Sequence, residues 1–108
     1  MPPPLSIYAR EALQLLGAMI RHGRSQRQWS QRELAQRLGV SAPTLQKIER
    51  GEPGCHIGSV FEAAVLTGVP LFHSDSEDLR RLARQQQAIM ALLPQRIRAP
   101  SQEVDDDF

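Results

Sequence analysis

Along most of the chain apolar residues recur every three or four positions, in short runs broken by serine, glycine and proline. That period belongs to α-helices and not to strands. Ser6 is placed to cap a first helix running to about Gly23 or Arg27, with Ala9, Ala12, Leu13, Leu16, Met19 and Ile20 as its apolar stripe. Ser30 and Glu33 form a Ser-x-x-Glu capping box opening a second helix, which ends near Leu38 and Gly39. Ser41 caps a third helix that closes at Gly51, and Glu52-Pro53-Gly54 makes a turn. A fourth helix from about Ile57 to Leu66 is expected to turn Val60, Phe61, Ala64 and Val65 inward, before Gly68 and Pro70. A fifth runs from about Glu77 to Leu93 and stops at Pro94. The reading is an all-α chain of five helices. Residues 6–70 form the principal domain, 71–94 a C-terminal helix, and 95–108 a polar acidic tail expected to lack fixed structure alone.

The segment from Gln31 to Arg50 is the most constrained. Leu34, Leu38, Leu45 and Ile48 make a shared core between two short crossing helices, with Val40 below the turn. Close approach of the crossing backbones calls for a small side chain at Ala35. The tight turn calls for positive φ, which Gly39 supplies without strain. With Leu45 and Ile48 inward, Ala42, Pro43, Gln46, Lys47 and Arg50 face outward, with Thr44 at the edge. Pro43 is tolerated because first-turn amides have no intrahelical partner. A helix of this diameter enters the major groove. Gln46 suits bidentate pairing with adenine, Lys47 a guanine or a phosphate, and Ala42, Pro43 and the Thr44 methyl suit thymine methyls. Gln31, at a helix amino end, suits a phosphate, and Arg32 and Ser41 complete the candidate DNA contacts.

The run from Trp29 through Ser41, continuing at Thr44, Ile48, Glu49 and Gly51, resembles the Xre-type, lambda-repressor-like DNA-binding domains over roughly residues 8–70. The resemblance implies a sequence-specific repressor and a salt bridge between Arg24 and Glu49. Ala42 and Pro43 depart from it, because related repressors often carry polar readers there.

Charge sharpens the picture. The first fifty residues hold eight basic and three acidic side chains, a net +5, whereas the whole chain is only +1. A basic body suits a polyanion. The tail Val104-Asp105-Asp106-Asp107-Phe108 carries an acidic run and a terminal apolar anchor. Together with the body it resembles the small HipB-type antitoxins, which repress their own operon and bind a HipA-type serine/threonine kinase toxin. That resemblance makes Val104 to Phe108 candidate toxin contacts. Leu79, Leu82, Gln86, Ile89 and Leu93 fall at heptad spacing, so the fifth helix either folds onto the core or contributes to a dimer. A homodimer is expected, since one such unit contacts few base pairs. It would read an inverted repeat with half-sites about 34 Å apart or a multiple of that.

Catalysis has little support. His22, His56, His73 and Cys55 lack metal-ligand spacing, no glycine-rich phosphate loop is present, and no cofactor or metal is expected. With a single cysteine, no membrane-length apolar run and no signal-peptide pattern at the amino end, the chain reads as cytoplasmic.

Overall fold

The computed structural model describes residues 3–94. Five helices follow one another: α1 (Ile7–Gln26), α2 (Gln31–Leu38), α3 (Ala42–Glu49), α4 (Ile57–Leu66) and α5 (Ser76–Leu92). The chain divides into two compact units, one up to His73 and one from Ser74 onward.

Each helix of the first unit starts and stops where local chemistry dictates. The Ser6 hydroxyl accepts from the Ala9 amide and starts α1. At α2 both halves of the capping box form: the Ser30 hydroxyl accepts from the Glu33 amide, and the Glu33 carboxylate accepts from the Ser30 amide. Two otherwise orphaned donors are thereby satisfied. Gly39 ends α2 with φ of 76°, a left-handed conformation that costs a residue with a Cβ about 1 kcal/mol or more. Ser41 then caps α3 by accepting from the Thr44 amide. His56 occupies the N-cap of α4 without a side-chain cap bond.

α2 and α3 pack on each other, α1 packs on α3 and α4, and α4 closes on α2. Ile20, Leu34 and Leu45 are fully buried where these helices meet, with Ala35, Ile48, Ala63, Ala64 and Val69 around them. Burying each of the three large side chains contributes about 1.5–3 kcal/mol. Trp29, Leu38 and Val40 pack against this core from its edge.

The packing of α1 follows from two glycines. A Cβ at Gly17 would lie 2.6 Å from the carbonyl oxygens of both Ile48 and Glu49. Reciprocally, a Cβ at Gly51, just past α3, would lie 2.6 Å from the backbone of Leu13 and Gln14. The backbone of α1 therefore lies flush against the end of α3. A second close approach sets Gly23 against Thr67. These contacts rotate the buried face of α1 relative to the stripe expected from its large apolar residues. Leu13, Leu16 and Ile20 turn inward with Gly17 and Gly23, but Ala9, Ala12 and Met19 are exposed.

α4 needs a similar correction. It buries Ala63 and Ala64, with Val60 and Phe61 half-buried, but Val65 is 57% exposed. Apolar side chains occupy every position of α4 from Val60 to Leu66 except Glu62, so periodicity does not choose a face. Close packing selects the two alanines.

α5 begins one residue earlier than expected, at Ser76, because the Asp75 carboxylate caps it by accepting from the Asp78 amide. It ends at Leu92. None of its residues is buried: Leu79 is half-buried, and Leu82, Gln86, Ile89 and Leu93 are exposed along the heptad seam. The acidic tail, including Val104, Asp105, Asp106, Asp107 and Phe108, lies outside the described residues.

Candidate nucleic-acid interface

Pro43, Gln46, Lys47 and Arg50 are exposed on α3 and its C-cap, at i, i+3, i+4 and i+7. That spacing is one helix face. The opposite face carries Leu45, Ile48 and Glu49, all buried. Ala42 and Thr44 are half-buried at the margins of the exposed face, and Ser41 is exposed. The Ser41 hydroxyl also donates to Thr44 Oγ1 at 2.9 Å, so the start of the helix is doubly tied. Arg32 is exposed on α2 and Gln31 is half-buried at its first position.

Behind this face runs a polar relay. Arg24 on α1 grips Glu49 bidentately, with Nε to Oε2 at 2.6 Å and Nη2 to Oε1 at 3.0 Å. The two side chains are only 13% and 3% exposed. Arg24 Nη1 also donates to the Trp29 carbonyl at 3.0 Å, which ties the link before α2 to the same pair. Gln31 Nε2 donates to Glu49 Oε1 at 3.1 Å, and Gln46 Nε2 donates to Gln31 Oε1 at 3.3 Å. Chemistry fixes the polarity of this chain. An ionised carboxylate only accepts, so Gln31 must offer it the amide NH2. The Gln31 oxygen then faces Gln46, which must answer with its own NH2. Gln46 is left with its carbonyl oxygen and one N–H turned outward.

The resemblance thus placed the Arg24–Glu49 bridge correctly. The extension of that bridge through Gln31 to Gln46 joins residues from three helices, so no local spacing announces it. Gln31, expected to contact a phosphate, is already tied through its side chain. Its amide is held between Glu49 and Gln46, so any phosphate contact from this end of α2 must draw on the remaining amide valences or the backbone.

A cleft of about 260 Å³ opens over the relay, lined by Arg21, Gln31, Gln46, Glu49 and Arg50. Arg50 pairs with Glu52, Nη2 to Oε2 at 2.8 Å, an exposed contact that holds the guanidinium beside the cleft. Arg21 is absent from the contacts read out of the sequence.

A family profile described as a helix-turn-helix domain matches residues 15–84, well over half of the chain. The chain belongs to this helix-turn-helix family. The second helix of a helix-turn-helix motif is the one that enters the major groove. Here that is α3, and the turn is the Gly39 to Ser41 link. The family is one of DNA-binding domains. Comparison with curated proteins and with solved structures returns no match.

His56 stands at the N-cap position of α4 without a side-chain cap bond, and Cys55 is half-buried with its thiol donating to the Glu52 carbonyl at 3.3 Å. Among the described residues no three His, Cys, Asp or Glu side chains gather as a metal site. No described helix is long and apolar enough to cross a membrane.

Proposed function

We propose that this helix-turn-helix protein is a sequence-specific transcriptional repressor that reads its operator with α3. The observation that carries the reading is the relay from Arg24 to Gln46. It immobilises the amide of the most prominent exposed reader and leaves it one acceptor and one donor. Adenine offers the complementary pair in the major groove, the N6 donor and the N7 acceptor. A side chain held in place beforehand loses less entropy on binding, so it discriminates better than a free one. Lys47 serves guanine or a phosphate, Arg50 and Arg32 serve phosphates, and Ala42, Pro43 and Thr44 offer apolar contact to thymine methyls. Ser41 lies at the amino end of α3 among these contacts, and Gln31 gives its remaining N–H to a phosphate at the amino end of α2.

The protein works as a homodimer on an inverted repeat in the cytoplasm. We further infer that it is the autoregulating antitoxin of a HipA-type kinase. That reading is supported by the acidic run of Asp105, Asp106 and Asp107 beside the apolar Val104 and Phe108. A stand-alone Xre-type regulator lacks such a partner, and an interaction module of this fold that touches only protein would bind DNA weakly and without salt dependence.

The test of operator reading is Gln46→Ala. Against a duplex selected by the protein from a random-sequence pool it should lose about 1–3 kcal/mol. Against a shuffled duplex it should lose much less. Equal losses on both duplexes would show that Gln46 does not read sequence.

A further inference from the structure

Arg21 is the one residue lining the cleft whose charge has no counterpart. Glu49, the carboxylate at the base of the cleft, is neutralised bidentately by Arg24 and further occupied by Gln31. Arg50 is paired with Glu52. Arg21 is exposed and makes no hydrogen bond or ion pair among the described residues. Its position follows from the packing of α1. Gly17 and Arg21 are four residues apart and share a face of the helix. Gly17 presses that face onto the last carbonyls of α3, so Arg21 stands one turn further along, beside Gln46 and Arg50.

We infer that Arg21 holds a backbone phosphodiester of the duplex at the edge of the groove that α3 enters. The inference rests on the DNA-reading assignment and extends it to a helix that lies outside the helix-turn-helix itself. A guanidinium next to the reading face meets a phosphate in a charge-assisted, bidentate geometry that a point charge does not match. The contact would also fix the depth of α3, because α1 is anchored to the α3 backbone with no side chain between them. A purely structural role is the competing explanation, with Arg21 acting only as a cation beside the negative end of the α3 dipole.

The two explanations differ in what salt does. Each phosphate neutralised releases counterions, so losing one contact should lower the slope of log K against log salt by about 0.9. Binding of full-length wild type, Arg21→Ala and Arg21→Lys is measured by fluorescence anisotropy on the selected duplex and on a shuffled one of equal length. Thermal melting of each variant is followed alongside. Arg21→Ala should bind both duplexes about tenfold more weakly at roughly 0.1 M salt, with the shallower slope and an unchanged melting temperature. Arg21→Lys should keep the slope. An unchanged slope with lowered melting temperature would reduce Arg21 to a dipole partner and overturn the inference. So would a loss confined to the selected duplex, which would make Arg21 a base reader. In both cases wild-type binding would remain steep in salt and the reading by α3 would stand. Wild-type binding that ignores salt would remove both.

Discussion

Replacing Gly17 with alanine should destabilise the protein, although the same change in most helices stabilises them. A glycine within a helix costs about 1 kcal/mol relative to alanine in backbone propensity, so Gly17→Ala starts with a gain of that size. Against it stands a methyl carbon 2.6 Å from two backbone carbonyl oxygens and 2.9 Å from the Glu49 carbonyl carbon. Ordinary contact needs about 0.8 Å more. The obstruction is backbone in the middle of the fold, and no flexible side chain can swing aside. Overpacking of this kind costs about 3 kcal/mol, the upper end of its usual range. The net loss is about 2 kcal/mol, which in a domain of this size lowers the melting temperature by about 8–16 °C. Urea unfolding followed by far-UV circular dichroism measures it, with the fluorescence of Trp29, the single tryptophan, as a second probe. Gly58 is the control. It lies in α4, a Cβ there meets nothing within 4 Å, and Gly58→Ala should stabilise by about 0.4–1 kcal/mol. A Gly17→Ala protein as stable as wild type would mean that α1 does not lie flush on α3, and the placement of Arg21 and Arg24 would lose its basis.

The remaining expectations concern the relay, the reading face and the tail. Glu49→Ala leaves Arg24 buried without its counter-ion and should cost about 3–5 kcal/mol in denaturant unfolding. If the variant is rescued by low temperature, its preference for the selected duplex over a shuffled one should fall as well, because Gln31 and Gln46 lose their anchor. Lys47→Ala should weaken DNA binding by about 1–3 kcal/mol while leaving the melting temperature unchanged, since the side chain is exposed. Unchanged binding would take Lys47 out of the interface. Deleting residues 101–108 should weaken binding to a HipA-type kinase, measured by calorimetry, and leave DNA affinity nearly as it was. Equal kinase affinity with and without the tail would end the antitoxin reading.

The parts of this fold legible in the sequence are those governed by neighbours in the chain. Ser6, Ser30 with Glu33, and Ser41 mark helix starts because a cap bonds to an amide three residues away. Gly39 marks a turn because positive φ is a local demand. Leu34, Leu45 and Ile48 declare the inner face of α2 and α3 because both helices have a polar side to contrast with it. Where that contrast is weak the reading fails, as at Val65 in a helix whose second half is apolar on most sides. It fails also at Gly17 and Gly23, whose importance lies in what approaches them from elsewhere in the chain. A glycine contributes nothing to an apolar stripe, so the apolar residues alone carry the stripe of α1 too far toward Ala9, Ala12 and Met19, which are exposed. The candidate site divides in the same way. The exposed residues of α3 follow from helical periodicity. The tie from Gln31 to Gln46 and the arrival of Arg21 depend on three helices meeting, and no spacing in the sequence encodes that. The run from Glu49 through Gln31 to Gln46 leaves no signal in the sequence beyond the polarity of the three side chains.

The most direct test of DNA reading is the affinity of the full-length protein for duplex DNA across a range of salt. A reading face carrying Lys47, Arg50, Arg32 and Arg21 should give binding that weakens steeply as salt rises, with log K falling by about 0.9 per log unit of salt for every phosphate held. A flat dependence, or no binding even at low salt, would contradict the assignment of α3 to the major groove.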